Sequence, residues 1–218
     1  MPGRSKTPRD AVHHPLFARF YARMSPRAEV GAGLGAHRDR LLDGLTGRVI
    51  EIGAGNGLSF AHYPGTVSEV VAIEPERRLR RLASDAALRA DIPVDVVPGT
   101  AEALPVKSEA FDAAVASLVL CSVRDVDRTL GELRRVLRPG GELRFFEHVR
   151  SDRPVTRAAQ WTVDHTFWPL LLGGCHTSRD AIAAITRAGF EIGPYDHVKV
   201  PFNGPAAGHV LGVAHKPG

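Results

Sequence analysis

The chain has 218 residues, of which 44% are hydrophobic and 24% charged, and its formal net charge is +4. That balance excludes a disordered polyelectrolyte, and the basic residues are spread along the chain rather than clustered, so no nucleic-acid partner is expected. No stretch approaches the roughly 18 apolar residues of a membrane span, and the two cysteines, Cys121 and Cys175, form neither a CxxC pair nor a disulfide framework.

A reducing compartment follows, with the cytoplasm as the expected location and no metal site expected. Peripheral contact with anionic lipid stays open, and the oligomeric state is not legible. Residues 1–15 are basic and proline-containing without an apolar signal core, and are expected to form a flexible arm. Residues 16–218 are expected to form a single domain with a helical lid over 16–45 and a lid insertion over 151–177.

In chain order, FARFYARMSPRAEV (Phe17 to Val30) predicts a helix, a break at Pro26 and a second helix. HRDRLLDGL predicts a helix closed near Gly44 or Gly47. RVIEIG, VSEVVAIEP and VDVVPG predict three buried strands, with the amphipathic helix ERRLRRLASDAALRA before the third. Its arginines, Arg77, Arg78, Arg80 and Arg81, read as a solvated face. FDAAVASLVLC begins with a fourth strand, and DVDRTLGELRRVLRPGG is a helix ending before Pro139. GELRFFEHV is a fifth strand. Ser151 to Cys175 reads as irregular and aromatic, and SRDAIAAITRAG as a helix with Ser178 as its cap. FEIGPYDHVKV and HVLGVAHKP are two late strands without a helix between them.

Strands alternating with helices predict an α/β fold: a doubly wound, Rossmann-like, seven-stranded and mostly parallel sheet with an antiparallel C-terminal edge pair. Ligands of such sheets bind outside the carboxyl ends of the strands. The stretch VIEIGAGNGLSF sits at one of those ends. Gly53, Gly55 and Gly57, with Ala54 and Asn56 between them, form a loop whose amides can approach a ligand closely. The spacing matches neither GxGxxG nor a P-loop, and Glu51 beside it would repel a pyrophosphate. A nicotinamide dinucleotide is therefore disfavoured.

The pattern suits a cationic ligand without phosphates, and S-adenosylmethionine is such a ligand. Glu74, followed by Pro75, lies 21 residues after Gly53 at the end of the second strand, where an acid can hold ribose hydroxyls. GTAEALP can wall an adenine with Thr100, Ala101 and Glu102. Ser117 and Leu118, after the fourth strand, would lie near the methionine end.

VIEIGAGNG, VVAIEPE, GTAEALP, FDAAVAS and LRRVLRPGG together resemble the class I S-adenosylmethionine-dependent methyltransferases. YARMSPRAE, LVLCSVRDVDRTLGELRRVLRPGG, FFEHV and DHTFWPLLLGGCHTSRD extend the likeness to the methyltransferase-like group that includes animal alkyl-thiol S-methyltransferases. The resemblance implies methyl transfer to a small lipophilic acceptor, with a thiol favoured. Oxygen or nitrogen on a quinone, phospholipid amine or natural product is the alternative, and a non-catalytic cofactor-binding module a third.

For the acceptor side the candidates are His148 at the end of the fifth strand and the pair Asp164 and His165 in the following segment. Each has a structural alternative: a hydrogen-bonded histidine and a solvated loop pair. His176 beside Cys175 is too isolated to predict a metal, and Cys121 reads as a small buried residue. Of Phe17, Phe20, Tyr21, Trp161, Phe167 and Trp168, at least one is expected to line the pocket.

Overall fold

The computed structural model describes residues 15–31, 33–166, 168–200 and 208–218. Apart from Pro15, the expected N-terminal arm lies outside the described residues, as does Phe167. Two helices come first, α1 (Pro15–Gly31) and α2 (Leu34–Leu42). The alternating part follows: β1 (Gly47–Ile52), β2 (Val67–Ile73), α3 (Arg77–Ala87), β3 (Val94–Val97), β4 (Phe111–Ser117), α4 (Val126–Val136) and β5 (Leu137–Val149). Then come α5 (Pro154–Asp164), α6 (Trp168–Leu171), α7 (Ala181–Arg187), β6 (Glu191–Val198) and β7 (Gly208–His215).

The strands form one seven-stranded sheet in the order β3-β2-β1-β4-β5-β7-β6. The first five pair in parallel, and β7 runs antiparallel to both β5 and β6. The predicted fold class is the observed one. Val49 through Ile52 are all buried because helices cover both faces of the sheet. One face packs Ile50, Ile52 and Phe145 against Leu130 and Leu133 of α4 and Ile185 of α7. The other packs Val49, Val70 and Phe146 against Leu41 and Leu42 of α2 and Ala83 of α3.

Three local expectations are corrected. Helix α1 does not break at Pro26 but runs through it. Proline removes one backbone donor, and side chains work on the same turns: Ser25 Oγ donates to the Tyr21 carbonyl at 2.8 Å and Arg27 to that of Arg23 at 3.0 Å. The segment after β5 is not irregular but carries α5 and α6. Pro154 opens α5, where its missing N–H costs no intrahelical bond. The cap of α7 is Asp180, whose carboxylate accepts from Ala183 N at 3.0 Å; Ser178 is occupied elsewhere.

Among the described residues, no helix is long and apolar enough to cross a membrane.

Candidate active site

The carboxyl ends of β1, β2 and β4 open into one cavity of about 330 Å³. Gly53 and Gly55 form its floor with φ of 62° and 59°, in the left-handed region that favours glycine. Gly53 is also sterically closed to a side chain, and Gly55 is crowded. A Cβ on Gly53 would stand 2.5 Å from Val119, and one on Gly55 3.1 Å from the Tyr21 ring.

Glu74 ends β2 at the edge of this floor. One carboxylate oxygen accepts from Gly55 N at 2.8 Å and the other from Glu76 N at 2.8 Å. The group is buried, and burial lifts its carboxyl to about 7 against the lowering effect of those two amides. Two amides do not saturate a carboxylate, which has about four acceptor sites. Arg80 is not a purely solvated side chain: it donates to the carbonyls of Glu74 and Pro75 at 2.8 and 3.0 Å and fixes the strand end.

Thr100, Ala101 and Glu102 line one side of the cavity, and Ser117, Leu118 and Val119 another. Leu118 has a φ of 57°, a conformation costing about 1–3 kcal/mol for a non-glycine residue. Glu147, at the end of β5, holds this bend. One of its oxygens accepts from Val119 N and Leu120 N, both at 2.8 Å, and the other from Cys121 N at 3.2 Å. Burial raises this carboxyl to about 7 as well. Phe17 and Tyr21 of α1, with Gly173 and Gly174 after α6, close the cavity from above. Three acids (Glu74, Glu76 and Glu102) and one base (Arg124) border the space, a balance that favours a cationic ligand.

The residues around this space can be set beside known proteins. A family profile described as a methyltransferase domain matches residues 50–145. Thiol S-methyltransferase TMT1B of Mus musculus is 32% identical over 208 residues, 92% of this chain and 83% of that protein. Thiol S-methyltransferase TMT1A of Homo sapiens is 31% identical over 172 residues, 77% of this chain and 70% of that protein. The chain belongs to the thiol S-methyltransferase family. It is a class I methyltransferase, and a solved SAM-dependent methyltransferase from Thermotoga maritima shares its fold, with a TM-score of 0.66, 22% identity and coverage of 93% of this chain and 99% of that one.

Within this thiol S-methyltransferase family member, the structure brings together Gly53, Gly55, Glu74, Pro75, Thr100, Ala101, Glu102, Ser117 and Leu118. It sets the other expected residues behind the cavity wall. Glu51 does not face the ligand space. Ser59 Oγ donates to its two oxygens at 2.6 and 2.8 Å and Tyr63 Oη to one at 3.0 Å, so this buried acid fixes the loop from below. Burial raises its carboxyl despite those bonds. Ala54 packs in the core. Asn56 donates to Ser25 Oγ at 3.0 Å and ties α1 to the loop. Gly57 answers to packing, because a Cβ there would lie 2.7 Å from Phe60 and 2.9 Å from Ala86.

The acceptor-side candidates do not line this cavity. His148 is buried behind the cavity, against Cys175 and His209, because alternation along β5 sends Glu147 and His148 to opposite faces. Asp164 is buried at the end of α5, where Thr177 and Ser178 each donate a backbone and a side-chain bond to it at 2.5–3.0 Å. Burial pushes its carboxyl upward, but those bonds outweigh it and hold the group below the ordinary range. His165 is exposed and stacks on Trp161 at 4.2 Å between ring centroids.

Sequence reasoning passed over Glu147. The available signal was an acid within an apolar strand run, which must find partners when buried. Of the aromatics, Phe17 and Tyr21 line the space, while Phe20 and Trp161 are exposed.

Proposed function

We propose that this chain methylates a small lipophilic thiol with S-adenosylmethionine as donor. The observation that carries the reading is the acid-bordered cavity floored by Gly53 and Gly55 and edged by Glu74, in a chain of this family. The residues fit the donor: two left-handed glycines with crowded Cβ positions, a buried carboxylate with acceptor capacity to spare, and few competing cations.

In this reading Glu74 accepts from the ribose hydroxyls. Thr100, Ala101 and Glu102 flank the adenine, with Pro75 beside it. The amides around Gly53 and Gly55 meet the amino-acid tail, and Ser117 and Leu118 border its methionine end. Glu51, Ala54, Asn56 and Gly57 hold the loop in shape. When bound, the donor supplies a methyl carbon activated by its sulfonium.

The chain's own work is alignment and exclusion of water, which together can lower a barrier by about 7–11 kcal/mol. Phe17 and Tyr21 present ring surface over the mouth, where an aromatic face also attracts a cation. An acceptor thiol held at this mouth would give its proton to solvent, its sulfur would take the methyl the donor supplies, and the donor would leave as the neutral thioether. With a pKa of about 8.5, a thiol needs only modest help to ionise near neutrality. That suits a site whose cavity lining holds neither His148 nor His165.

A panel of alkyl and aryl thiols, phenols and amines tests the reading. Turnover is expected with thiols. Methylation of phenols or amines alone would overturn the thiol assignment, and binding without turnover on any panel would leave a cofactor-binding module.

A further inference from the structure

Cys121, His148 and Cys175 are distant in sequence and meet behind the cavity wall. Cys121 belongs to the bend held by Glu147, His148 to the end of β5, and Cys175 to the segment between α6 and α7. All three are buried, and both cysteines are free thiols. Cys175 Sγ lies 3.7 Å from Cys121 Sγ and 3.7 Å from His148 Nδ1, and one donor atom from each residue falls within 4.8 Å of the others.

We propose that these three residues form a binding site for one zinc ion. Tetrahedral zinc with Zn–S bonds of about 2.3 Å and Zn–N bonds of about 2.0–2.1 Å requires its ligand atoms to stand about 3.8 Å (S to S) and about 3.5–3.6 Å (S to N) apart. The two edges that meet at Cys175, 3.7 Å to Cys121 Sγ and 3.7 Å to His148 Nδ1, are close to those lengths, and the third lies within 4.8 Å, so the cluster would tighten modestly to close on an ion. The donor set is right for the metal: two thiolates and an imidazole suit a borderline-soft d¹⁰ cation and not magnesium or calcium.

Charge also balances. The two thiols give up their protons on binding, and two thiolates neutralise the dication, leaving a neutral centre in a buried setting. Cys121 and His148 also border a separate cavity of about 190 Å³, from which a water or a small thiolate would complete the coordination.

The ion would act on the neighbouring site through the chain. Cys121 directly precedes Ser122, and Cys175 directly follows Gly174, and both neighbours line the main cavity. One metal thus pins the α6–α7 segment to the β4–α4 bend on the acceptor side. The inference does not depend on which acceptor is methylated.

The test uses the full chain, stripped of metal by a chelator under reducing conditions and titrated with cobalt(II), then with zinc against a chromophoric competitor. Expected are one ion per chain, a near-ultraviolet thiolate-to-cobalt charge-transfer band that zinc abolishes, release of two protons per ion in weak buffer, and a raised Tm. Cys175→Ser and His148→Ala should each weaken zinc binding at least about 100-fold. Absence of the charge-transfer band in the reduced wild-type chain would overturn the site, and so would undiminished zinc affinity in Cys175→Ser. The wild-type spectrum and proton count stand even where a variant fails to fold. A Cys121–Cys175 disulfide whose reduction restores no metal uptake would also reject it.

Discussion

The amide of Gly55 donates to the carboxylate of Glu74 at 2.8 Å. This bond joins the loop after β1 to the end of β2, and it brings the closest-approach point of the backbone beside the acid with spare acceptor capacity. The second carboxylate oxygen holds Glu76 N, at the start of α3, so one side chain sets the relative positions of two loops and a helix.

Replacing Glu74 with Ala is therefore expected to weaken S-adenosylmethionine binding by about 1–3 kcal/mol, the range for losing hydrogen bonds to a charged group. Isothermal titration calorimetry measures it, and wild-type affinity in the variant would reject the ribose assignment.

The same residue predicts a pH dependence of binding. Because burial raises its carboxyl to about 7, the acceptor form is lost as pH falls through that value. Donor affinity is expected to drop by up to about tenfold per pH unit below it, and Glu74→Gln to flatten the profile. A profile in the variant as steep as in wild type would assign the effect to another group.

Stability should move the other way. Glu74 and Glu147 both have folded-state values raised from 4.5 to about 7. Between those limits the folded chain holds protons that the unfolded chain has released, so stability is full at the acid end of that window and declines as pH rises through about 7. Urea unfolding across the window measures the decline, and Glu147→Gln should reduce it. A stability flat over this range would mean that neither group is shifted.

Gly55 and Gly57 should fail in different ways. Gly55→Val places side-chain atoms against Tyr21 and into the cavity floor, so binding is expected to be lost while circular dichroism stays native. Gly57→Ala collides with Phe60 and Ala86 and should instead lower stability by about 1–3 kcal/mol, the usual cost of overpacking. A thermal melt and a titration on each variant separate the two outcomes.

Asp164 and His165 are adjacent in sequence and opposite in consequence. Asp164→Ala strands the donors of Thr177 and Ser178 and is expected to lower stability by several kcal/mol, at about 1–3 kcal/mol per unsatisfied buried group. His165→Ala, on an exposed ring, should leave kcat/KM for any accepted thiol unchanged. A large loss of kcat in His165→Ala would return that ring to the chemistry.

What the sequence disclosed depended on distance along the chain. The parallel strands were visible as apolar runs bounded by turns, and Glu74 as an acid a fixed interval after a glycine loop, because each signal lies within one βαβ unit. Glu147 was invisible in its role, since the amides it holds are 26–28 residues away. His148 was misplaced for a related reason: strand alternation says that two neighbours face opposite sides without saying which faces the ligand. Helix α5 was missed because aromatic content obscured the start signal at Pro154.

The order of strands bears on how the molecule is made. β7 comes after β6 in the chain yet lies between β5 and β6 in the sheet, hydrogen-bonded to both. During translation, β5, which ends at Val149, therefore emerges from the ribosome well before β7, which begins at Gly208. Until β7 arrives, β5 presents an unpaired edge, a window in which a nascent chain is open to chaperones or to aggregation.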